Sequence, residues 1–413
     1  MVGVSSSTAT AEKISWYCAL FMAIMLVLSC CESSSEGEFM VRMTQQQQQL
    51  RNIVVKKPCD EIYVVREGET LHTISEKCGD PYIVEENPHI HDPDDVFPGL
   101  LKTRGIRQVL GSDLFDFKPT KLFVFGDSYT DTGNTGKALS YSWKPPYGRT
   151  FPGKPDGRFS DGLVLTDFLA EYLGIETPIP YKFRRIGSKY CRRGMSFAYG
   201  GAGVFNTWFP LPNMTKQINF FEQVLNKDRV YTQSDLHSSA ALVSLCGNDY
   251  FVYSLRNGSM QLTLNLKRIH GLGVRKVAVT LMQPIGCLPK SSAAYSYQKC
   301  NETENSYVKF HNHLLRQAVA ELNNQTMDSP FVILDLNRAF ETVFANKGSR
   351  KFENPFKPCC VGISKGYSCG SVDERGMKKY RVCENPGSAF FWDFGHPTQA
   401  AWHAVYLALR EQF

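Results

Sequence analysis

Short, continuous apolar runs punctuate the chain from Lys121 onward: LFVF (122–125), MSFAY (195–199), ALVSL (241–245), KVAVTL (276–281) and FVILDL (331–336). Each is rich in β-branched or aromatic residues and lacks the polar alternation of a half-exposed strand, which predicts strands buried on both faces of a parallel sheet. Between them, apolar positions recur at helical spacing over 164–173, 216–225, 262–269 and 307–322, and again over 397–410. Strands alternating with helices specify a three-layer α/β/α domain with a flavodoxin-like parallel sheet, assigned to residues 118–413, whose ligands are expected at the carboxyl ends of the strands.

The preceding residues follow other patterns. The run ISWYCALFMAIMLVL (14–28) is uncharged and follows Lys13. It is short for a hydrocarbon core about 30 Å thick, so residues 1–31 read as a signal peptide, with retention as an anchor by residues 14–31 as the alternative. Residues 32–58, which include Gln45 to Gln49, form a polar linker. Within 59–101 come an alternating run (Ile62 to Val65), a Glu67-Gly68-Glu69 turn, a helix predicted from Thr70 to Lys77, and Asn87-Pro88. A unit of that size packs poorly alone. A Cys59–Cys78 bridge would constrain it by about 3 kcal/mol. This stretch resembles a LysM domain at Gly68, Glu69, Thr70, Leu71, Ile74, Asn87 and Pro88. The resemblance implies a small βααβ module that binds N-acetylglucosamine polymers. Its closing strand, due after Pro98-Gly99, has only Leu100 and Leu101 before charge and glycine intervene, so it is expected to be truncated. Residues 102–117 are a junction.

Composition narrows the class. With 43% hydrophobic and 21% charged residues among 413, the chain is neither collagenous, disordered nor a polytopic membrane protein. A net charge of +6 over this length does not argue for a nucleic-acid partner. Thirteen cysteines argue for an oxidising compartment in which most are paired. Four Asn-x-Ser/Thr sequons, at Asn213, Asn257, Asn301 and Asn324, are compatible with secretion, in which case they are candidate glycosylation sites. The histidines form no ligand-spaced cluster with cysteines, so neither a metal nor any other cofactor is expected.

The candidate chemistry lies at the strand ends. Just past the first strand, Ser128 sits in GDSYTDTGN (126–134), where its hydroxyl can project into a crevice. Far along the chain, Asp393 and His396 in DFGHPT (393–398) are spaced so that the carboxylate can fix one imidazole nitrogen and turn the other toward a serine. The bland alternative is an Asp that caps a helix beginning at Pro397. The second and third strands end in Tyr199-Gly200-Gly201 and in Gly247-Asn248-Asp249, whose glycine N–H and asparagine amide are donors of the oxyanion-hole type.

Taken in order, GDSYTDTGN, SFAYGGAG (196–203), GNDY (247–250) and DFGHPT resemble the four blocks of the GDSL esterase/lipase family, the SGNH hydrolases, in particular its plant branch. The stretches 146–162, 283–289 and 354–360 look like that branch too. The resemblance implies a secreted serine esterase or lipase that cleaves carboxylic esters of acyl lipids or acetylated cell-wall glycans, and is expected to be monomeric. It implies Ser128 as nucleophile, His396 as general base and Asp393 as its orienting carboxylate, with Ser128, Gly200 and Asn248 forming the oxyanion hole. Tyr129 stands where the family has leucine, a departure read as harmless. Cys287 with Cys300 fits a loop staple. Cys359, Cys360, Cys369 and Cys383 can form two bridges in three connectivities; with Cys18, Cys30 and Cys31 in the signal region, this leaves Cys191 and Cys246 as thiols. The crossover over 254–275 is about a dozen residues shorter than the plant branch implies. Together with the LysM end and the junction, this admits two alternatives: a glycan-binding protein with an impaired hydrolase domain, or a chain joined from two neighbouring genes.

Overall fold

A computed structural model of the protein describes residues 62–64, 70, 73–74, 100–102 and 112–412, apart from 186–190, 208–209, 246, 253–257, 327 and 346–351. The chain divides into two compact units, residues 1–107 and 108–413.

In the first unit, β1 (Ile62–Val64) pairs antiparallel with β2 (Leu100–Lys102), and Tyr63 lies opposite Leu101. The closing strand therefore forms, in three residue pairs: the ladder is made by main-chain groups, which Lys102 supplies as well as a leucine does. Between the strands, the Thr70 hydroxyl accepts the Thr73 N–H at 3.2 Å. Ile74 is buried and donates its N–H to the Thr70 carbonyl at 3.0 Å. Cys59, Cys78 and the apolar run 14–28 lie outside the described residues.

The second unit is built on a six-stranded sheet: β3 (Lys121–Gly126), β4 (Ile179–Pro180), β5 (Gly194–Ser196), β6 (Ser239–Ser244), β7 (Lys276–Thr280) and β8 (Phe331–Leu334). All pairings are parallel, in the order β4-β5-β3-β6-β7-β8, with Val124 opposite Ser196 on one side and Leu242 on the other. The helices used below are α1 (Leu165–Tyr172), α2 (Met214–Asn226), α3 (Asn248–Val252), α4 (Gly258–Gly271), α5 (Glu302–Asn324), α6 (Leu336–Phe344) and α7 (Gln399–Arg410). The pleat of β3 sorts its side chains between two cores. Leu122 and Val124 pack in the layer of α1, α6 and α7, where Phe168, Phe340 and Trp402 are fully or nearly fully buried. Phe123 and Phe125 enter the opposite core with Phe221 of α2, Leu266 of α4 and Val319 of α5. Both faces of the strand are thus dry, which is why its run is apolar without alternation.

Three boundaries differ from the sequence reading. β5 stops at Ser196, although the Phe197 and Tyr199 N–H groups still reach the Val124 and Gly126 carbonyls at 2.7 and 3.1 Å. β8 stops at Leu334, because Asp335 accepts the Arg338 N–H at 3.0 Å and starts α6, a helix hidden in the sequence by the apolar run that it continues. β4 is an edge strand of two residues, too short to stand out and tolerant of Pro180 for that reason. With β4 at the edge, the remaining strands follow the flavodoxin-like order.

The loop before α7 is held by Cys359–Cys383 and Cys360–Cys369, which selects one of the three connectivities, and Cys287–Cys300 staples another loop. Cys191 is buried outside these bridges, while Cys246 lies outside the described residues. The bridged segment forms a small hairpin of β9 (Cys360–Gly362) and β10 (Tyr380–Val382). It docks sideways: Cys359 and Cys360 donate their N–H groups to the carbonyls of Phe391 and Trp392 at 2.9 and 2.6 Å. Of the sequons, Asn324 is exposed. Asn213 and Asn301 are N-caps of α2 and α5, and their amide nitrogens donate to Asn206 and Glu304. Asn257 lies outside the described residues. Among the described residues, no helix is long and apolar enough to cross a membrane.

The two bridges span sequence separations of 24 and 9, each is worth about 2–4 kcal/mol, and they brace the segment whose Cys359 and Cys360 N–H groups bond the carbonyls of Phe391 and Trp392, the two residues before Asp393. The sheet does not depend on them. Excess reductant is therefore expected to abolish ester hydrolysis at temperatures where the far-UV circular dichroism is still native; simultaneous loss of both signals would contradict this.

Candidate active site

The chain passes from β3 to β4 and β5 on one side and later to β6 on the other, opening a crevice at the carboxyl end of β3. The strand ends at Gly126, where a Cβ would collide with the Ser244 carbonyl oxygen and the Thr130 hydroxyl. A tight turn follows. The Asp127 carbonyl accepts the N–H groups of Thr130 and Asp131 at 3.1 and 2.9 Å, and its carboxylate accepts that of Tyr129 at 3.1 Å. Ser128 stands at the head of this turn and is 6% exposed.

His396 arrives from the loop before α7, and its Nε2 lies 2.9 Å from Ser128 Oγ. Its Nδ1 is 2.8 and 2.9 Å from the two oxygens of Asp393. The same carboxylate accepts the N–H groups of Gly395 and His396, each at 2.9 Å, and the Tyr147 hydroxyl at 2.7 Å. Asp393 is therefore not the cap of α7; Thr398 is, accepting the Ala401 N–H at 3.1 Å. Burial works to raise the Asp393 carboxyl. The neighbouring His396 and the hydrogen bonds from His396, Tyr147 and Gly395 outweigh burial and hold it below the ordinary aspartate range. Burial, followed by the charge of Asp393, pushes the Tyr147 hydroxyl well up, so it stays a donor. A hydroxyl, an imidazole and an ionised carboxylate in line can draw a proton from the hydroxyl.

The expected oxyanion donors behave differently from one another. The Ser128 N–H has no hydrogen-bond acceptor among the described residues. The Asn248 amide, at the start of α3, lies 3.1 Å from an Asp127 carboxylate oxygen and 2.9 Å from the Ala202 carbonyl. The Gly200 N–H departs from expectation. It donates to Asp131 at 3.0 Å and to the Thr135 hydroxyl at 2.8 Å, and so points into the protein instead of the crevice. Gly200 is a glycine for a packing reason: a Cβ would collide with the ring of Phe159, whose centre is 5.1 Å from that of His396.

Several residues at the site lie in or near the quoted motifs without having been given a role by the sequence reading. Asp131 is fully buried. It accepts from the backbones of Gly133, Asn134 and Thr135 at 2.7, 2.6 and 3.1 Å and from the Thr135 hydroxyl at 2.6 Å, besides Gly200. Burial raises its carboxyl despite these bonds. Asn134 ties the same turn to the Ser196 and Ala198 carbonyls at 2.8 and 3.0 Å. Tyr147 and Phe159 come from a stretch with no regular period, so spacing could not have pointed to them. Tyr129, read as a harmless replacement, is buried against Trp402 and donates its hydroxyl to the Gly395 carbonyl at 2.8 Å, a bond that leucine cannot make.

The family model for GDSL-like Lipase/Acylhydrolase matches residues 122–409. GDSL esterase/lipase At5g03610 of Arabidopsis thaliana is 57% identical over 315 residues, covering 72% of this chain and 88% of the relative. GDSL esterase/lipase At3g09930 of the same plant is 51% identical over 318 residues, covering 73% and 90%. A solved alpha/beta hydrolase from the metagenome of Lake Arreo superposes only loosely, with a TM-score of 0.33 and 12% identity over 71% of this chain and 94% of that one, so the assignment rests on the sequence matches. The chain belongs to the GDSL lipase/acylhydrolase family and is a carboxylic ester hydrolase.

Proposed function

We propose that Ser128 is the nucleophile of this ester hydrolase, on the strength of its 2.9 Å contact with His396, whose other ring nitrogen is held by Asp393. Ser128 Oγ attacks the ester carbonyl carbon while its proton passes to His396 Nε2. The resulting oxyanion is received by the Ser128 N–H and the Asn248 amide, which exchanges Asp127 for the substrate oxygen. The imidazolium then protonates the departing alkoxide, leaving an acyl-Ser128 ester. Water deprotonated by His396 hydrolyses that ester and releases the acid. With the Gly200 N–H engaged inside the protein, two donors serve where three were expected.

The substrates in this reading are acyl lipids or acetylated cell-wall glycans, and the working form is a monomer. Secretion through residues 1–31 is supported by three disulfides among the described residues, which an oxidising compartment preserves. Asn324, exposed at the end of α5, is the favoured glycosylation acceptor. A LysM-like role for 59–101 in holding N-acetylglucosamine polymers is supported by the β1–β2 pairing and the buried Ile74. The intact hydroxyl–imidazole–carboxylate geometry weighs against an impaired hydrolase.

Ser128→Ala is expected to abolish hydrolysis of p-nitrophenyl esters from acetate to long acyl chains, and Asn248→Ala to slow turnover by about 10²- to 10³-fold; a serine variant with wild-type rates would overturn the assignment.

The depressed Asp393 carboxyl adds stability that is fully present above the ordinary aspartate pKa of about 3.9 and is lost only as pH falls through its own lower value. Near-UV circular dichroism is thus expected to stay unchanged from pH 8 down to about pH 5, and any activity lost on acidification over that range to return in full at pH 8; unfolding in that window would contradict the hold on Asp393.

Tyr129 is a positioning residue for the turn that carries His396. Tyr129→Phe is expected to lower kcat by about three- to tenfold at unchanged KM, the size of one lost hydrogen bond; an altered KM with normal kcat would count against this role.

A further inference from the structure

Outside the crevice, exposed apolar side chains are not scattered evenly. Ten large ones are exposed among the described residues, and six of them, Leu139, Tyr141, Ile363, Tyr367, Val372 and Met377, fall in two short segments, 136–154 and 361–384. Met377 and Leu139 are 63% and 58% exposed. The two segments touch. Gly370 lies against Tyr141, whose Cδ1 would be 3.4 Å from a Cβ placed there, and the Lys144 ammonium sits 5.1 Å from the Tyr141 ring centre. Within the second segment, the Ile363 N–H bonds the Lys379 carbonyl at 3.0 Å, and Val372 bridges Lys378. Ile363, Tyr367, Val372 and Met377 are therefore carried on a disulfide-stapled hairpin, which presents them with little ordering cost.

The charge around these tips has one dominant sign. The two segments hold nine Lys and Arg against three Asp and Glu, a net of +6. That equals the formal net charge of the whole chain, so everything outside these segments sums to zero. Of the three acids, Asp373 is paired with Lys379 at 3.0 Å. Both segments also reach the reacting groups: Tyr147 in the first donates to Asp393, and Cys359 and Cys360, which lead into the second, bond the Phe391 and Trp392 carbonyls.

We propose that this face docks the enzyme on an anionic lipid surface, with Leu139, Ile363, Val372 and Met377 entering the headgroup–acyl boundary and Lys144, Lys365, Arg375 and Lys378 meeting lipid phosphates. Charge alone would also suit an acidic polysaccharide. The four aliphatic tips favour lipid, because they offer a sugar neither a hydrogen bond nor a ring to stack on, whereas burial in acyl chains removes their apolar area from water. Docking here holds the crevice at the interface and raises the local concentration of esters embedded in it.

The test is sedimentation of the protein with vesicles of phosphatidylcholine, with and without about one third phosphatidylglycerol, in about 0.1 M salt. Binding is expected to anionic vesicles and to be at least tenfold weaker to neutral ones. Each basic residue at an anionic surface contributes about fivefold, so the pair Arg375→Glu and Lys378→Glu should cost at least 25-fold. Met377→Asp should also release the protein, and all three substitutions should leave hydrolysis of soluble p-nitrophenyl acetate unchanged. Equal binding to neutral vesicles, reversal variants that bind like the wild type, or retention on polygalacturonate without vesicle binding would each overturn the proposal. Because binding is read apart from turnover, a protein that docks but does not hydrolyse would strike the Ser128 assignment and leave this surface standing.

Discussion

The carboxylate of Asp131 is buried beneath the turn that carries Ser128 and takes hydrogen bonds from both sides of the crevice: three backbone N–H groups and one hydroxyl of its own loop, and the Gly200 N–H of the loop after β5. Each of those donors would cost about 1–3 kcal/mol if buried without an acceptor. One charge therefore makes the geometry of two separate loops interdependent. Asn134 repeats the tie with the carbonyls of Ser196 and Ala198. Desolvation raises the Asp131 carboxyl, so its anionic form depends on keeping these donors. The Gly200 N–H is consumed by this role.

The other half of the site is braced from below and from the flank. Tyr129 reaches from the Ser128 turn to the Gly395 carbonyl, so the loop of Ser128 and the loop of His396 share a bond besides the one between those two side chains. Phe159 fills the space that Gly200 leaves open and packs on the His396 ring. Tyr147 holds the Asp393 carboxylate, and the disulfide-stapled hairpin holds the two residues before it, Phe391 and Trp392. The hairpin that steadies the carboxylate also carries the exposed cationic and aliphatic tips, so a surface contact and the reacting groups are separated by a few rigid residues.

Much of this was legible along the chain because it depends on local order. Continuous apolar runs mark β3, β6 and β7, since a strand dry on both faces has no polar positions to show, and helical spacing marks α1, α2, α4, α5 and α7. Ser128, Asp393 and His396 were legible because each lies at a strand or helix boundary within a short motif. The start of α6 was hidden because Leu336 continues the apolar run of β8 and a single residue, Asp335, turns strand into helix.

Local patterning along the chain is enough for the layered α/β fold, for the residues that meet at the carboxyl end of the sheet, and for which cysteines were available to pair. Folding in three dimensions was needed to join Cys359 to Cys383 and Cys360 to Cys369, to commit Gly200 to packing and Asp131 more than to the crevice, and to set Tyr129 and Tyr147 as braces of His396 and Asp393. The difference comes from distance along the chain. Periodicity reports how a residue relates to its near neighbours, whereas bonds such as Tyr147 to Asp393 or Tyr129 to Gly395 join groups 246 and 266 residues apart. Their partners are set by how the layers pack.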